Sequence, residues 1–406
     1  MEPVRAAIVG AGGYAGDIAD LVLRTGSLCQ PEVQLVAVAE PDTTTHALRL
    51  AELRRLGIAT LTSVDDLLAD PAIEAVWLPL PIPLHRSFTE RALAAGKAVL
   101  VEKPAAGSVQ DVDAMIAARD RSGLPVAVGF QDMFDPLTTD LKTRLVGGQL
   151  GAVRHAVLQA CWPRSQEYYR RSTWAGRFKQ NDEWVMDSPA NNALAHYVNL
   201  AMFFLGPDLP SSAVVERVEA ELYRAHAIEN FDTISLRAHL AGGATLLLLL
   251  THACRGSHGP VLRLEGTHGQ MTYTSAGADI EARGAQETLA AAEDPRAEIV
   301  GRFARQVRGI PDDARLGSTL ETARAQVVLA NAASEASAIV PVPPEQIERF
   351  EDQGENGVAI TGIESAIRHC AEHHQMLHES GLLPFTRQGG ILDVRHDRQF
   401  SGPKQA

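Results

Sequence analysis

With 406 residues the chain is too long for one ordinary hydrophobic core, so two domains are expected. A composition of 45% hydrophobic and 21% charged residues is that of a soluble globular protein, and a formal charge of −13 argues against a nucleic-acid partner, because phosphate binding needs a basic surface. No stretch approaches the ~20 apolar residues of a membrane span. MEPVRAAIVGAGG lacks a basic segment ahead of an apolar signal core, and Cys29, Cys161, Cys254 and Cys370 form no CxxC pair, so a cytoplasmic chain with reduced thiols is expected.

In chain order, the first 130 residues alternate short β-branched runs with helix-period segments, the pattern of a parallel sheet with crossover helices. Strands are predicted at Arg5–Gly10, Val33–Glu40, Glu74–Leu80, Lys97–Glu102 and Pro125–Gly129. Ser63 reads as a helix start, and Ser87–Ala95 as a helix closed by Gly96. After Pro136 the character changes. A helix over Leu137–Val146 ends at Gly147–Gly148, and from Val153 the strands lengthen and lose their interleaved helices. Phe231–Leu240, Gly243–Ala253, Val261–Glu265 and Gln270–Thr274 read as consecutive antiparallel strands of a meander. The expected fold class is thus α/β: a doubly wound Rossmann domain over 1–130, an α+β domain with a large open, mostly antiparallel sheet over 131–386, and a polar, poorly packed tail over 387–406. In Thr245–Thr251 (TLLLLLT) leucines fall on both faces, so one face is expected to pack on the domain's own helices and the other on a partner in a homo-oligomer, dimer or tetramer.

Gly10-Ala11-Gly12-Gly13-Tyr14-Ala15 follows the first strand and opens a helix, fitting the dinucleotide fingerprint with Ala in the third small position. Gly10 permits the tight turn and Gly12 the close approach of a pyrophosphate. Ala15 lets helix and strand pack closely, and the helix N-terminus offers N–H donors to the phosphate. Glu40 ends the second strand, where a carboxylate accepts hydrogen bonds from the adenosine ribose. That carboxylate repels a 2′-phosphate and no Arg follows it closely, so NAD is favoured over NADP.

Pro81-Ile82-Pro83-Leu84-His85 follows the Glu74–Leu80 strand, and Glu102-Lys103-Pro104 ends the Lys97–Glu102 strand. With the glycine loop, these motifs resemble the Gfo/Idh/MocA oxidoreductases, named for glucose–fructose oxidoreductase, inositol dehydrogenase and a rhizopine-catabolism protein. The resemblance covers Ala6 to about Phe385, and Glu-Lys-Pro is its most specific element. It implies a Rossmann domain followed by an open sheet that often mediates oligomerisation, and hydride transfer at a hydroxyl carbon of sugars, cyclitols or related polyols. It implies a catalytic or substrate-orienting role for Lys103 and cofactor contacts at Pro81, His85 and Glu102. Read without it, Glu102–Lys103 is a surface ion pair and His85 a solvated helix terminus.

The resemblance further implies a helix with an Asp and, four residues on, a His facing the nicotinamide. The matching stretch runs from Asp187 to Asn199, with Ser188 as N-cap, Pro189 at the first helical position and Gly206-Pro207 after the end. Asn192, His196 and Asn199 form one polar stripe on an otherwise apolar helix, expected either to meet a ligand or to tie the helix to the sheet. The usual Asp is Asn192 here, and an amide cannot take a proton, so the base is His196 or Lys103. Upstream, Trp162-Pro163-Arg164 and Tyr168-Tyr169-Arg170-Arg171-Ser172-Thr173-Trp174 form an aromatic and basic segment. It suits a pocket wall for a sugar ring bearing hydroxyls or a carboxylate, or else serves as loop anchors. The His pairs at 369/373 and 374/378 have a metal-ligand spacing but read as a solvated amphipathic face, and no metal is expected. The leading expectation is an NAD-dependent dehydrogenase of a sugar, cyclitol or glycoside-like polyol. A redox-neutral enzyme that keeps its cofactor and works through a transient keto intermediate, and a non-catalytic NAD sensor, stay open beside it.

Overall fold

The computed structural model describes residues 2–27, 32–310, 317–394 and 399–405. Cys29 lies outside them, and Cys161, Cys254 and Cys370 are buried thiols. The chain forms two compact units.

The first unit comprises Met1–Ala106, Asp111–Thr139 and Ala292–Ala323. Its sheet has six parallel strands, β1 (Val4–Val9), β2 (Val33–Ala39), β3 (Ala59–Leu61), β4 (Ala75–Leu78), β5 (Ala98–Val101) and β6 (Val126–Val128), in the order β3-β2-β1-β4-β5-β6. This is the doubly wound order, with a topological switch between β1 and β4 that leaves a ligand crevice at the carboxyl ends. Every residue of β4 and β5 is buried, as expected of strands covered on both faces. The strand β3 was not foreseen, because three residues with polar flanks carry no periodic signal. Ser63 does cap its helix, accepting N–H bonds from Asp65 (3.1 Å) and Asp66 (3.3 Å). The helix Pro295–Val307 also belongs to this unit and packs on helix α1 (Gly13–Ser27) and β2.

The second unit comprises Gly107–Gln110, Asp140–Ala291 and Arg324–Ala406. It holds a ten-stranded, mostly antiparallel sheet. The expected meander is interrupted. Strand β7 (Val153–Cys161) lies between Thr245–Thr251, to which it is parallel, and His258–Gly266, to which it is antiparallel. A strand apolar on both faces suits a sheet interior, and this arrangement gives Thr245–Thr251 a partner on each side. Leu246 through Leu250 are all buried within the one chain. Leu247 and Leu249 join the core under helix Ile363–His373, while the turn Pro189–Ala193 packs on the same strand. The leucine run therefore needs no second subunit to cover it.

The polar tail packs, contrary to expectation. Gly390–Asp393 pairs antiparallel with Val215–Arg224, and Phe400 is buried with its ring 4.8 Å from that of Trp184. Glycine makes this approach possible: a Cβ on Gly389 would stand 1.6 Å from the Ala220 carbonyl oxygen. Among the described residues, no helix is long and apolar enough to cross a membrane.

Candidate functional site

In the first unit the glycine turn is built as its residues demand. Gly10 has φ +104° and Gly13 φ +51°, left-handed values that disfavour a side chain. A Cβ on Gly10 would touch the Cβ of Ala15 at 3.0 Å, so the small third residue is what allows strand and helix to close. Helix α1 begins at Gly13 with no acidic residue in its first turn, leaving its leading N–H groups suited to a phosphate. Glu40 is 7% exposed, and its carboxylate accepts the N–H of Ala11 (2.9 Å) and of Asp42 (2.8 Å), fixing an anion beside the loop. Sequence reasoning missed His46. Its imidazole rests against Gly12, where an added Cβ would lie 2.0 Å from the ring, and its Nε2 is 3.9 Å from Glu40. The backbone and donor set fit a dinucleotide phosphate.

Glu102 is buried at the end of β5. Its Oε1 accepts the Trp77 indole N–H at 3.1 Å and its Oε2 the Lys103 N–H at 3.3 Å. Burial pushes its pKa up, opposed by the Lys103 charge and the Trp77 hydrogen bond. A Cβ on Gly129 would meet this carboxylate at 2.7 Å, so glycine there makes its room. Tyr14 is 39% exposed, its pKa is raised by partial desolvation and then by the Glu102 charge, and Arg296 lies 5.8 Å from its ring. Lys103 is half-buried. His85 is not a solvated terminus. It has no exposed surface, and its Nδ1 and Nε2 meet the carbonyls of Pro104 (2.9 Å) and Leu80 (2.7 Å), clamping the ends of β4 and β5 together. Burial lowers its pKa, against those carbonyls. Pro81 caps the short turn Ile82–Leu84 that leads into His85.

In the second unit Ser188 caps as expected, accepting the Asn191 N–H at 3.2 Å. The helix it starts is not regular: Pro189–Ala193 is a π-helical turn and Ala195–Phe204 the α-helix. Single π turns frequently mark functional positions. Asn192 donates its amide to Asp187 Oδ1 at 2.7 Å, and Asp187 also accepts the Gly176 N–H. His196 is half-buried. Asn199 is wholly buried, and neither of its amide atoms has a hydrogen-bond partner among the described residues. Of the stripe, Asn192 and Asn199 are thus buried and His196 half-buried.

The aromatic segment stacks as a group. The Arg164 guanidinium lies 4.9 Å from the Trp162 ring and 4.6 Å from Tyr168. Arg171 lies 3.5 Å from Tyr168 and 5.6 Å from Trp174. Tyr169 packs on His226 at 5.0 Å. His226 binds Asp232 through Nδ1 at 2.8 Å and the Arg164 carbonyl through Nε2 at 2.9 Å. Asp187 reads from sequence only as the start of the matched stretch, and His226 and Asp232, six residues apart, carry no periodic signal. His369 and His373 stack on each other at 4.1 Å, while His378 turns to Glu221 at 2.7 Å.

Residues 4–130 match the family model for the GFO/IDH/MocA oxidoreductases, with its NAD-binding Rossmann fold, and residues 138–272 match the family's C-terminal domain. The chain is 33% identical over 153 residues to a dTDP-3,4-didehydro-2,6-dideoxy-alpha-D-glucose 3-reductase of Streptomyces violaceoruber, 38% of this chain and 44% of the relative. It is 30% identical over 210 residues to an inositol 2-dehydrogenase of Rubrobacter xylanophilus, 51% of this chain and 54% of the relative. These matches span about half of the relatives' own length. The WlbA dehydrogenase of Bordetella pertussis, solved with NADH and UDP-GlcNAcA, shares the fold. Its TM-score is 0.67 at 21% identity, over 82% of this chain and 95% of that one.

Proposed function

The chain belongs to the GFO/IDH/MocA oxidoreductase family, and from that premise we propose that it transfers a hydride to or from a hydroxyl carbon of a sugar or cyclitol. The observation that carries this reading is that the glycine loop after β1, with Glu40 fixed beside it, and the Glu102–Lys103 pair after β5 both lie at the carboxyl edge where doubly wound sheets bind ligands. Relatives named as a sugar-nucleotide reductase and an inositol dehydrogenase support the substrate class.

Gly10–Ala15 would hold the pyrophosphate on backbone N–H groups, and Glu40 the adenosine ribose. The nicotinamide supplies the hydride acceptor or donor. Glu40 is fixed by two N–H bonds and cannot easily turn away from a 2′-phosphate, which supports NAD over NADP. The proton of the reacting hydroxyl is assigned to Lys103 Nζ or the His196 imidazole, with Asn192, positioned by Asp187, orienting the substrate. Arg164, Tyr168, Tyr169 and Trp174 line the substrate's approach. A homo-oligomer is proposed on the edge strand Ala285–Ala290, which is exposed along nearly all its length, and not on the leucine run. The test is a screen of sugars, cyclitols and glycosides with NAD, read by the ultraviolet absorbance of the reduced cofactor and in parallel for cleavage products. Reduced cofactor without cleavage supports the dehydrogenase; turnover without reduced cofactor replaces it with the redox-neutral enzyme.

A further inference from the structure

In a chain of 50 acidic and 37 basic residues, partly buried guanidiniums commonly meet a carboxylate, as Arg49 does with Glu52, Arg237 with Glu379 and Arg308 with Glu74. Arg164 is different. Its Nε is buried with no hydrogen-bond partner, and among the described residues its guanidinium makes no ion pair. The nearby carboxylates are already engaged by other donors. Asp232 accepts from the N–H groups of Ala225 and His226, the His226 ring and the Thr233 hydroxyl, while Asp187 accepts from Gly176 and Asn192. The other cations of the segment are no better matched. Arg171 donates to the Tyr168 carbonyl and Arg170 to the Gln166 side chain, and Glu167 is bound to Asn356 instead. Positive charge thus collects at this segment against the sign of the whole chain. Beyond burial, the Arg164 charge helps to hold His252 down at about 3.

Two aromatic rings press on the guanidinium, so the donors left to it lie along its edge. That edge is the planar fork that binds a carboxylate or phosphate through paired hydrogen bonds. A cation taken partly out of water without a counter-charge costs free energy that a bound anion recovers. We propose that Arg164, with Arg171 on the same Tyr168 ring, receives an anionic group of the substrate, which makes the substrate class an acidic or phosphorylated sugar rather than a neutral polyol. The proposal rests on the sugar oxidoreductase reading.

The test measures binding of glucuronate, glucose 1-phosphate and glucose to the NAD-loaded protein, by calorimetry and by quenching of tryptophan fluorescence. Affinity for NAD itself, measured first, reports separately on the oxidoreductase reading, and the sugar series is repeated without cofactor. At least one anion should bind about 10-fold or more tightly than glucose, the worth of a charge-assisted hydrogen bond. Glucuronate or the phosphate leading identifies which anion the site takes. The preference should weaken with salt, shrink in Arg164→Lys and collapse in Arg164→Met. Equal affinities for the three sugars in the wild-type protein, or an unchanged preference in the Arg164 variants, would overturn it.

Discussion

The Asn192 amide is held by the Asp187 carboxylate at 2.7 Å, five residues back along the chain and across the start of a π-helical turn. The position that holds Asp in the resembling proteins thus carries an amide here, with a carboxylate directly behind it. Asp187→Ala should strand the Gly176 N–H and the Asn192 amide together and lower stability by about 1–3 kcal/mol, the cost of buried donors left unpaired. Asn192→Ala should be milder in stability and act mainly on KM. Denaturant midpoints and steady-state kinetics of the two variants check this, and an Asp187→Ala protein of wild-type stability would contradict it.

Lys103→Met and His196→Ala should each lower kcat by ~10²–10⁴, the usual worth of a positioned proton-transfer group, with little change in NAD affinity. If the two work as a unit, the double variant will be scarcely worse than the poorer single one. A His196→Ala enzyme with near-normal kcat would leave Lys103 as the sole proton carrier.

Calorimetry should show NAD binding at least ~10-fold tighter than NADP, or about 1.4 kcal/mol. Glu40→Gln should narrow the gap, because the fixed anion beside Ala11 and Asp42 is its source. Equal affinities in the wild-type protein would mean that Glu40 does not face the ribose.

Lys142 is fully buried and donates to the carbonyls of Phe203, Gly206 (2.8 Å) and Ser211 (3.1 Å), closing the end of the helix that carries His196. Burial lowers its pKa from 10.5 to about 8, with Asp208 opposing. Between those values the unfolded chain holds a proton that the folded one has released, so folding gains stability as pH rises through this window and loses it as pH falls through about 8. The full swing is on the order of 3 kcal/mol. The stability gap between the wild-type protein and Lys142→Met should therefore widen with pH across the window; a gap that stays flat would show that the ammonium is not desolvated.

Leu248→Ala should cost about 2–5 kcal/mol by leaving a cavity inside one chain, without changing the mass seen by light scattering. A mass that falls with this substitution would return the leucine strand to an interface.

Much of the first unit was legible because its motifs are local. Gly10, Glu40 and Lys103 each sit at a strand end that hydrophobic runs announce, and the doubly wound order brings those ends together. The second unit was legible in its strands but not in their pairing, since nothing in Thr245–Thr251 announces β7 as its neighbour. The same limit hid the roles of Asp187, His226 and Asp232, which lie in what they bind across the fold. It also hid the packing of the tail, where Gly389 and Gly390 signal a close approach without naming the strand approached. The leucine run misled for a related reason: an apolar face asks for cover, and sequence does not say whether the cover comes from the same chain.

The place of β7 has a consequence for how the protein comes to exist. His155 meets Thr245 across 90 residues of chain, and both neighbours of β7 in the sheet are made after the apolar helix Ala195–Phe204 has left the ribosome. Until then β7 offers two unpaired edges and the helix an uncovered apolar side, in a pairing whose long loop closes slowly. The second unit must therefore assemble as one late, cooperative block, and chains truncated between Cys161 and Thr245 should aggregate instead of folding in part.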